Sequence, residues 1–600
     1  MPDIGSGIEV GSHHLPGRFG RAVIGRRWLV VPAAVSAGIL VGAAVLLGTG
    51  GKPSAATFVG CSGDPITVTV ATSSGAFPVL DRLAKDWTAT RPTLHGRCLA
   101  ARVTAKEPSQ VAAALGPEWN GPRDGARPDV WVPDSSLWLS VAEGRPDATG
   151  MLPPQPPSIA SSPVVFALRE PMARALGWPQ RTLDWTDVVA AFMSDGWAKA
   201  GHPEWAPLRI GMTDVSTSTP GLAAVLAIVG NGGAGTPDDA QLVDTLRFAQ
   251  TLGAVAPDTT GFFAAQAGTA GTDAAIAAFP ALESDVAAYD AANPNHFLVP
   301  VYATDPLVAD YPYVVLSATW VGADTRAAAA QFLAYLRSTA GLDALGVSGM
   351  RGPDHSVRDP AVLPSASGFP ATFGDARAVP DAVTISRLSS DWTSLQRQSN
   401  MLVALDTSGS MAQPVPGTSM TRLQLMRQAA STGFGLLGGR DSIGLWDFAG
   451  TGDGPEEFRQ LVEFGPSTAT VGGVNRRQAM LDALGGLHAD GDTPLYDTVY
   501  AAFHEMQAHW RPDSINAVVV ITDGSNDVSG GMTLAQLVSA LKGEQRAGRP
   551  VQIINIALGP DADAGSLQQI SAATGGRTFV AQDPAGAVQT LVLAFAGRLS

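Results

Sequence analysis

Residues 401–410 read MLVALDTSGS: five consecutive apolar residues, then Asp-Thr-Ser-Gly-Ser. A run as short and continuous as Met401 to Leu405 fits a strand buried on both faces. Its abrupt end puts Asp406, Ser408 and Ser410 in the loop just beyond. Helical spacing follows from Leu423 to Leu437, then a strand over Ser442 to Phe448 and a helix over Arg476 to Leu487. The loop Gly491-Asp492-Thr493-Pro494 precedes a helix from Leu495 to His509. Ala517 to Ile521 is β-rich and ends in Thr522-Asp523-Gly524, and Val551 to Leu558 and Thr578 to Val580 read as closing strands. This alternation predicts a doubly wound, Rossmann-like α/β sheet over residues 399–600.

Three loops of that sheet carry Asp406, Ser408, Ser410, Thr493 and Asp523. All five offer hard oxygen, which suits Mg²⁺, or Ca²⁺ or Mn²⁺, and disfavours softer metals. Mg²⁺ takes about six oxygens near ~2.1 Å and gives up water reluctantly. Three hydroxyls with one or two carboxylates leave a position open and positive charge on the ion, which an acidic side chain can satisfy. Gly409 lets the backbone approach closely. Alone, D-x-S-x-S also fits a capped turn. Asp447, Asp492 and Asp527 read as solvated or as turn supports.

The D-x-S-x-S triplet, a threonine-bearing loop about 85 residues later and an aspartate ending the next buried strand resemble the von Willebrand factor A (VWA) domain with an intact metal-ion-dependent adhesion site. The resemblance covers about a third of the chain. It implies that Asp406, Ser408, Ser410, Thr493 and Asp523 hold a divalent cation that receives an acidic side chain from a protein partner.

Upstream, residues 61–355 alternate in kind. Ile66 to Ala71 is β-branched, Ala76 to Trp87 has helical spacing, and Leu99 to Val103 is a second strand. Pro108 to Leu115 is a second helix and Asp129 to Val132 a third strand. That order predicts a parallel sheet with right-handed crossovers and ligands at its strand ends. Small hydroxyl residues stand at such ends: Thr72-Ser73-Ser74-Gly75, Asp134-Ser135-Ser136, and Ser216 to Gly221 between a strand over Leu208 to Met212 and a helix over Leu222 to Val229. They either cap helices or meet a polar ligand beside exposed N–H groups.

The segments ITVTVATSSGAF (Ile66 to Phe77), SSPVVFAL (Ser161 to Leu168) and LRIGMTDVSTSTPGLAAVLAI (Leu208 to Ile228) resemble bacterial extracellular solute-binding proteins with two hinged lobes. This implies a periplasmic-binding-protein-like domain over residues 61–355. A small-molecule ligand would lie between lobes against Ser73, Ser74, Ser135, Ser218 and Thr219, with Glu283 on a second-lobe helix. The run Phe297 to Leu316 would return the chain to the first lobe. Residues 356–398 form a connector, loop-like from Asp359 to Asp381, then helical at Ile385, Leu388, Trp392 and Leu395; it is expected to dock on one of the domains.

Trp28 to Gly48 is uncharged and apolar, matching the ~20 residues of a transmembrane helix. Arg18, Arg21, Arg26 and Arg27 precede it and only Lys52 follows closely. The positive-inside rule therefore puts residues 1–27 in the cytoplasm, 28–48 in the cell membrane, and the linker 49–60 with everything beyond outside. A cleaved signal peptide ending near Ser54-Ala55-Ala56 is the other reading, although its apolar core is usually only ~7–15 residues. Both readings export the rest of the chain. There Cys61 and Cys98 read as one disulfide, closing a loop worth roughly 3–4 kcal/mol; two unpaired buried thiols are the alternative. Phe58-Val59-Gly60 fits a lipobox poorly, so a lipid on Cys61 is set aside.

The net charge of −15 is spread along the chain, which argues against nucleic acid as a partner. His504-Glu505 with His509 is spaced H-E-x-x-x-H, and five helical steps turn the second imidazole about 140° from the first. They do not share a metal. No Gly-x-Ser-x-Gly elbow or phosphate loop occurs, and the chain reads as a non-enzyme. The expectation is a bacterial, single-pass, extracytoplasmic protein that mediates metal-dependent protein–protein interaction and carries a solute-binding-like sensing region. The alternative is a transport receptor with an accessory VWA domain.

Overall fold

The computed structural model describes residue 61 and residues 63–581, apart from 194, 230–247, 249–250, 268–274, 416–417, 436, 438–440, 451–457, 513, 524–525, 529 and 560–561. The expected membrane segment, Trp28 to Gly48, lies outside the described residues. Among those described, no helix is long and apolar enough to cross a membrane.

The first lobe is built on β1 (Ile66–Thr72), whose Ile66, Val68 and Val70 are buried. It lies between β3 (Arg97–Ala105) and β4 (Val130–Val132), parallel to both as expected. The short strands β2 (Thr93–Leu94) and β11 (Val314–Val315) close the two edges antiparallel. The helix Phe77–Ala89 starts with Pro78 in its first turn, a position that tolerates a missing N–H. It buries Val79, Leu80, Leu83, Ala84 and Trp87, a helical face, against the sheet. Cys61 and Cys98 are joined in a disulfide, tying the start of the domain to β3.

The second lobe departs from an all-parallel sheet. β5 (Ser162–Arg169), buried throughout, runs antiparallel to β8 (Ile276–Leu282), β9 (Leu298–Tyr302) and β10 (Val308–Ala309). Among the described strands of this lobe, only β6 (Arg209–Thr213) is parallel to its neighbours, β7 (Leu252–Ala256) and β8. The run Phe297 to Leu316 passes through β9 and β10 and returns the chain to the first lobe as expected, where Asp310 accepts from Ser136, the Tyr311 N–H donates to Asp134 O, and β11 pairs with β4. The chain comes back once more at Arg351, whose N–H and C=O pair with Ser161 at 2.8 and 3.0 Å.

Glu283 does not face a ligand, contrary to expectation. Both its side chain and that of Arg351 are fully buried, bonded at 2.7 Å through Nε–Oε2 and Nη2–Oε1. The Tyr302 hydroxyl also donates to Glu283. A carboxylate taken wholly out of water must be paired, and here the pairing consumes it. Arg351 donates further to Pro370 O, Ala371 O and His355 O, pinning the connector to the second lobe.

The connector helix, Ala382–Gln396, packs on helix Leu137–Glu143 of the first lobe and on helix Thr219–Val229 of the second. Its Ile385, Leu388 and Trp392 are buried in the core shared by both lobes. It docks on one of the domains as expected, lying across both lobes of the solute-binding-type domain.

Two residues later begins the last sheet, in the order β14-β13-β12-β17-β18-β19. β12 (Gln398–Asp406), β13 (Ser442–Phe448), β17 (Ser514–Thr522), β18 (Gln552–Leu558) and β19 (Thr578–Ala581) are parallel. β14 (Phe458–Pro466) is an antiparallel edge with a small hairpin, β15 (Thr470–Val471) and β16 (Val474–Asn475), beyond it. Alternate residues feed opposite cores. Met401, Val403 and Leu405 meet helices Arg422–Gly435 and Arg476–Gly485 on one face. Leu402 and Ala404 meet helices Leu495–Ala508 and Leu534–Glu544 on the other. This is the doubly wound arrangement expected.

Candidate metal centre

Parallel pairing of β12 with β17, Leu405 opposite Ile521, delivers Asp406 and Thr522 side by side at the carboxyl end of the sheet. Thr522 Oγ1 donates to Asp406 Oδ2 at 2.5 Å, and the Ser408 N–H donates to Asp406 Oδ1 at 2.8 Å. The two serine hydroxyls lie 3.0 Å apart, and Ser410 Oγ donates to Asp523 Oδ1 at 2.7 Å. Four of the five residues expected to hold a cation therefore form one connected network. Thr493 is brought in through the backbone: the Gly409 N–H donates to Gly491 O at 2.9 Å, and the Asp490 N–H to Thr407 O at 2.8 Å. Gly491 has φ +77°, and a Cβ there would come 2.3 Å from Gly450 O, so this close approach requires glycine.

Asp406, Ser408, Thr493 and Asp523 are all at most 2% exposed. Burial pushes the Asp406 carboxyl up to about 6, only partly offset by hydrogen bonds from Ser408 and Thr522, while the Asp523 charge adds to the rise. A buried carboxylate held this way is relieved by a cation. The donor set is rich in hydroxyls. No cluster of three or more His, Cys, Asp or Glu stands among the described residues, and the oxygens present fit a hard ion.

Sequence reasoning missed Arg422. Its side chain is 7% exposed and its Nη1 donates to Asp523 Oδ2 at 2.7 Å. No local pattern marks an arginine at the start of a helix as part of a loop cluster. Asp447 is buried and paired with Arg459, not solvated as expected. Asp527 accepts from the Thr493 N–H and so supports that turn. His504 pairs with Glu544 and His509 with Glu505.

Between the lobes, the expected hydroxyls divide. Ser73 Oγ accepts from the Ala76 N–H and Ser135 Oγ from the Leu137 N–H, both local bonds at helix starts. Ser74 bonds Glu107, and Ser218 Oγ donates to Thr213 Oγ1. Thr219 alone among them reaches across: it donates to Asp134 Oδ1 at 2.7 Å and accepts from Trp138 Nε1 at 2.6 Å, both in the first lobe. Residues outside the expected set give this region its charge. Burial and the neighbouring Glu107 carry Asp134 up to about 6, with Thr219 opposing. Burial and the Asp134 charge carry Asp285, on helix Glu283–Ala292, up to about 7. The Tyr311 phenol is raised by burial and by both carboxylates.

A raised carboxyl stabilises the fold below its ordinary pKa, and that contribution is lost as pH climbs through the raised value. The chain should therefore lose stability between about pH 4 and pH 7, and Asp285→Asn should remove part of the loss. The variant is expected to melt a few degrees above the natural chain at pH 8, on the order of 2 kcal/mol after allowing for partial exposure. The two should melt together at pH 4. Parallel calorimetric profiles for both chains would rule the coupling out.

Residues 68–351 match the family model described as bacterial extracellular solute-binding protein, and residues 401–526 match that of the von Willebrand factor type A domain. The chain joins a solute-binding-type domain to a VWA domain. All five candidate cation residues fall within the matched VWA segment. Two curated proteins of Mycobacterium tuberculosis, both described as uncharacterized, are 25% identical over 534 residues, 86% of this chain and 74% of theirs. Among solved structures, a von Willebrand factor type A protein from Catenulispora acidiphila is similar at 20% identity and TM-score 0.25, over 33% of this chain and 41% of that one. Iron-bound HitA from Pseudomonas aeruginosa is similar at 16% identity and TM-score 0.37, over 55% of this chain and 99% of that one.

Proposed function

We propose that this protein is a membrane-anchored, extracytoplasmic assembly module that captures a protein partner through a divalent cation on its VWA domain. The observation that carries the reading is the convergence of three separate loops, through Ser408, Ser410, Asp523 and the Gly409–Gly491 backbone bond, on one buried oxygen-rich cluster. Asp406, Ser408, Ser410, Thr493 and Asp523 would hold Mg²⁺, and the ion would supply an electrophilic centre for a partner's glutamate or aspartate. This is binding without a catalytic step. The anchor is the run Trp28 to Gly48, with the N-terminus cytoplasmic. Affinity capture from membranes with and without a chelator tests the reading: a partner retained only when Mg²⁺ is present supports it, and retention indifferent to chelation removes it.

The solute-binding-type domain fits a sensing or presenting role better than delivery to a permease. Hinged receptors open and close, whereas here the connector helix packs on both lobes and leads within two residues into β12, the strand that ends at Asp406. Transport is the second reading because the lobes meet directly through the Thr219–Asp134 bond, the kind of contact a hinged receptor makes when closed. Thermal-shift screening against sugars, amino acids and oxyanions tests both ligand-dependent readings, since a ligand stabilises the fold that binds it: a shift supports sensing or transport, and no shift with any of them leaves presentation alone.

A further inference from the structure

We propose that Arg422 is a built-in counter-cation of the metal centre, which weakens cation binding and keeps the loaded site positive so that an acidic ligand is required to complete it. This rests on the reading that Asp406, Ser408, Ser410, Thr493 and Asp523 hold a divalent ion.

Both Asp523 oxygens are occupied within the protein, one by Ser410 Oγ and the other by Arg422 Nη1, each at 2.7 Å. The guanidinium is held in place from several sides. The Arg422 N–H donates to Gln413 O, and the Gln413 N–H to Ser410 O, both at 3.0 Å, so the helix start is tied to the loop that bears the two serines. Its head lies against Gly559, just past β18, where a Cβ would sit 3.6 Å from Nε. A side chain buried to this degree and bonded at its tip is not a solvated arginine that swings away at little cost.

Charge follows directly. Asp406 has hydrogen bonds from Ser408 and Thr522, while Asp523 already has a cation. A divalent ion joining two carboxylates alone would be neutralised; with Arg422 beside them, one positive charge is left over. Repulsion from the guanidinium, and its hold on an Asp523 oxygen, lower affinity for the ion. The surplus charge raises affinity for an incoming carboxylate. Ion and acidic ligand thus bind as a linked pair, each weak without the other.

The test is calorimetric titration of the full chain with MgCl₂ at fixed ionic strength, paired with retention on immobilised poly-glutamate in Mg²⁺. Arg422→Gln should bind Mg²⁺ at least about tenfold tighter than the natural chain, the scale of removing one charge next to a divalent ion, and should be retained less on poly-glutamate. Arg422→Lys, which keeps the charge, should follow the natural chain in both. Opposite movements are the signature, because loosening of the site would weaken both together. If Arg422→Gln does not fold, judged by circular dichroism, Arg422→Met is titrated in its place. Mg²⁺ affinity that is unchanged or weaker in a folded neutral variant overturns the role of Arg422 alone. Absence of Mg²⁺ binding by every chain, natural and variant, overturns the cation reading and this inference with it.

Discussion

Asp406→Ala should abolish the thermal stabilisation that Mg²⁺ confers on the full chain. An ion at a hundred times its dissociation constant stabilises the folded form by about 2.7 kcal/mol, which for a domain of this size is about 5–10 °C in melting temperature. The natural chain is expected to gain that much. The variant should gain nothing, for two reasons. The alanine removes one of two carboxylates at the centre, and it removes the oxygen that holds the Ser408 N–H, so the serine hydroxyls lose their aim as well. Differential scanning calorimetry with Mg²⁺ and with a chelator measures it. A variant that still gains as much as the natural chain would place the ion elsewhere, and the reading of the three loops would fall with it.

The approach of these three loops was legible in the sequence because their parts announce themselves locally. A buried parallel strand must be apolar throughout, and it must stop where polar residues begin, so Asp406 and Asp523 mark strand ends by their own position. The spacing of Ser408 and Ser410 needs no long-range information either. Arg422 is different, since it joins the cluster only through a tertiary approach that leaves no trace in the residues around it. The edge strand β14 escaped for a related reason: Phe458 to Pro466 is half exposed and carries Arg459, Gln460 and Glu463, so it lacks the continuous apolar signal of the strands inside the sheet.

The solute-binding-type half shows the converse. Its first sheet could be read from the alternation of Ile66, Val68 and Val70 with helix Phe77–Ala89. The antiparallel pairing of β5 with β8 and β9 could not, because a strand buried on both faces looks alike whichever way its partners run. Hydroxyls near helix starts were equally ambiguous. Ser73 and Ser135 turned inward to local N–H groups, whereas Thr219 found a carboxylate in the other lobe. Polar residues at strand ends show where a ligand could sit; which of them remain available depends on partners that local pattern does not record.

The pair Glu283–Arg351 makes that distinction measurable. Arg351→Met should destabilise the chain by about 3–5 kcal/mol, because it strands a carboxylate with no exposure to water and only the Tyr302 hydroxyl as donor. The double variant Glu283→Leu with Arg351→Met should recover most of the loss, since an apolar pair of similar size carries no desolvation cost. That recovery identifies the interaction as internal; a ligand-binding glutamate would show no such rescue by its neighbour. Arg351 also bonds the carbonyls of Pro370, Ala371 and His355, so the single variant should expose the stretch from His355 to Ala371 to limited proteolysis while β12 and its sheet stay intact. Urea melts of the four chains of the cycle decide it: an Arg351→Met cost below about 1 kcal/mol, the scale of an exposed pair, would mean that water reaches Glu283 and that its carboxylate is open to the cleft after all.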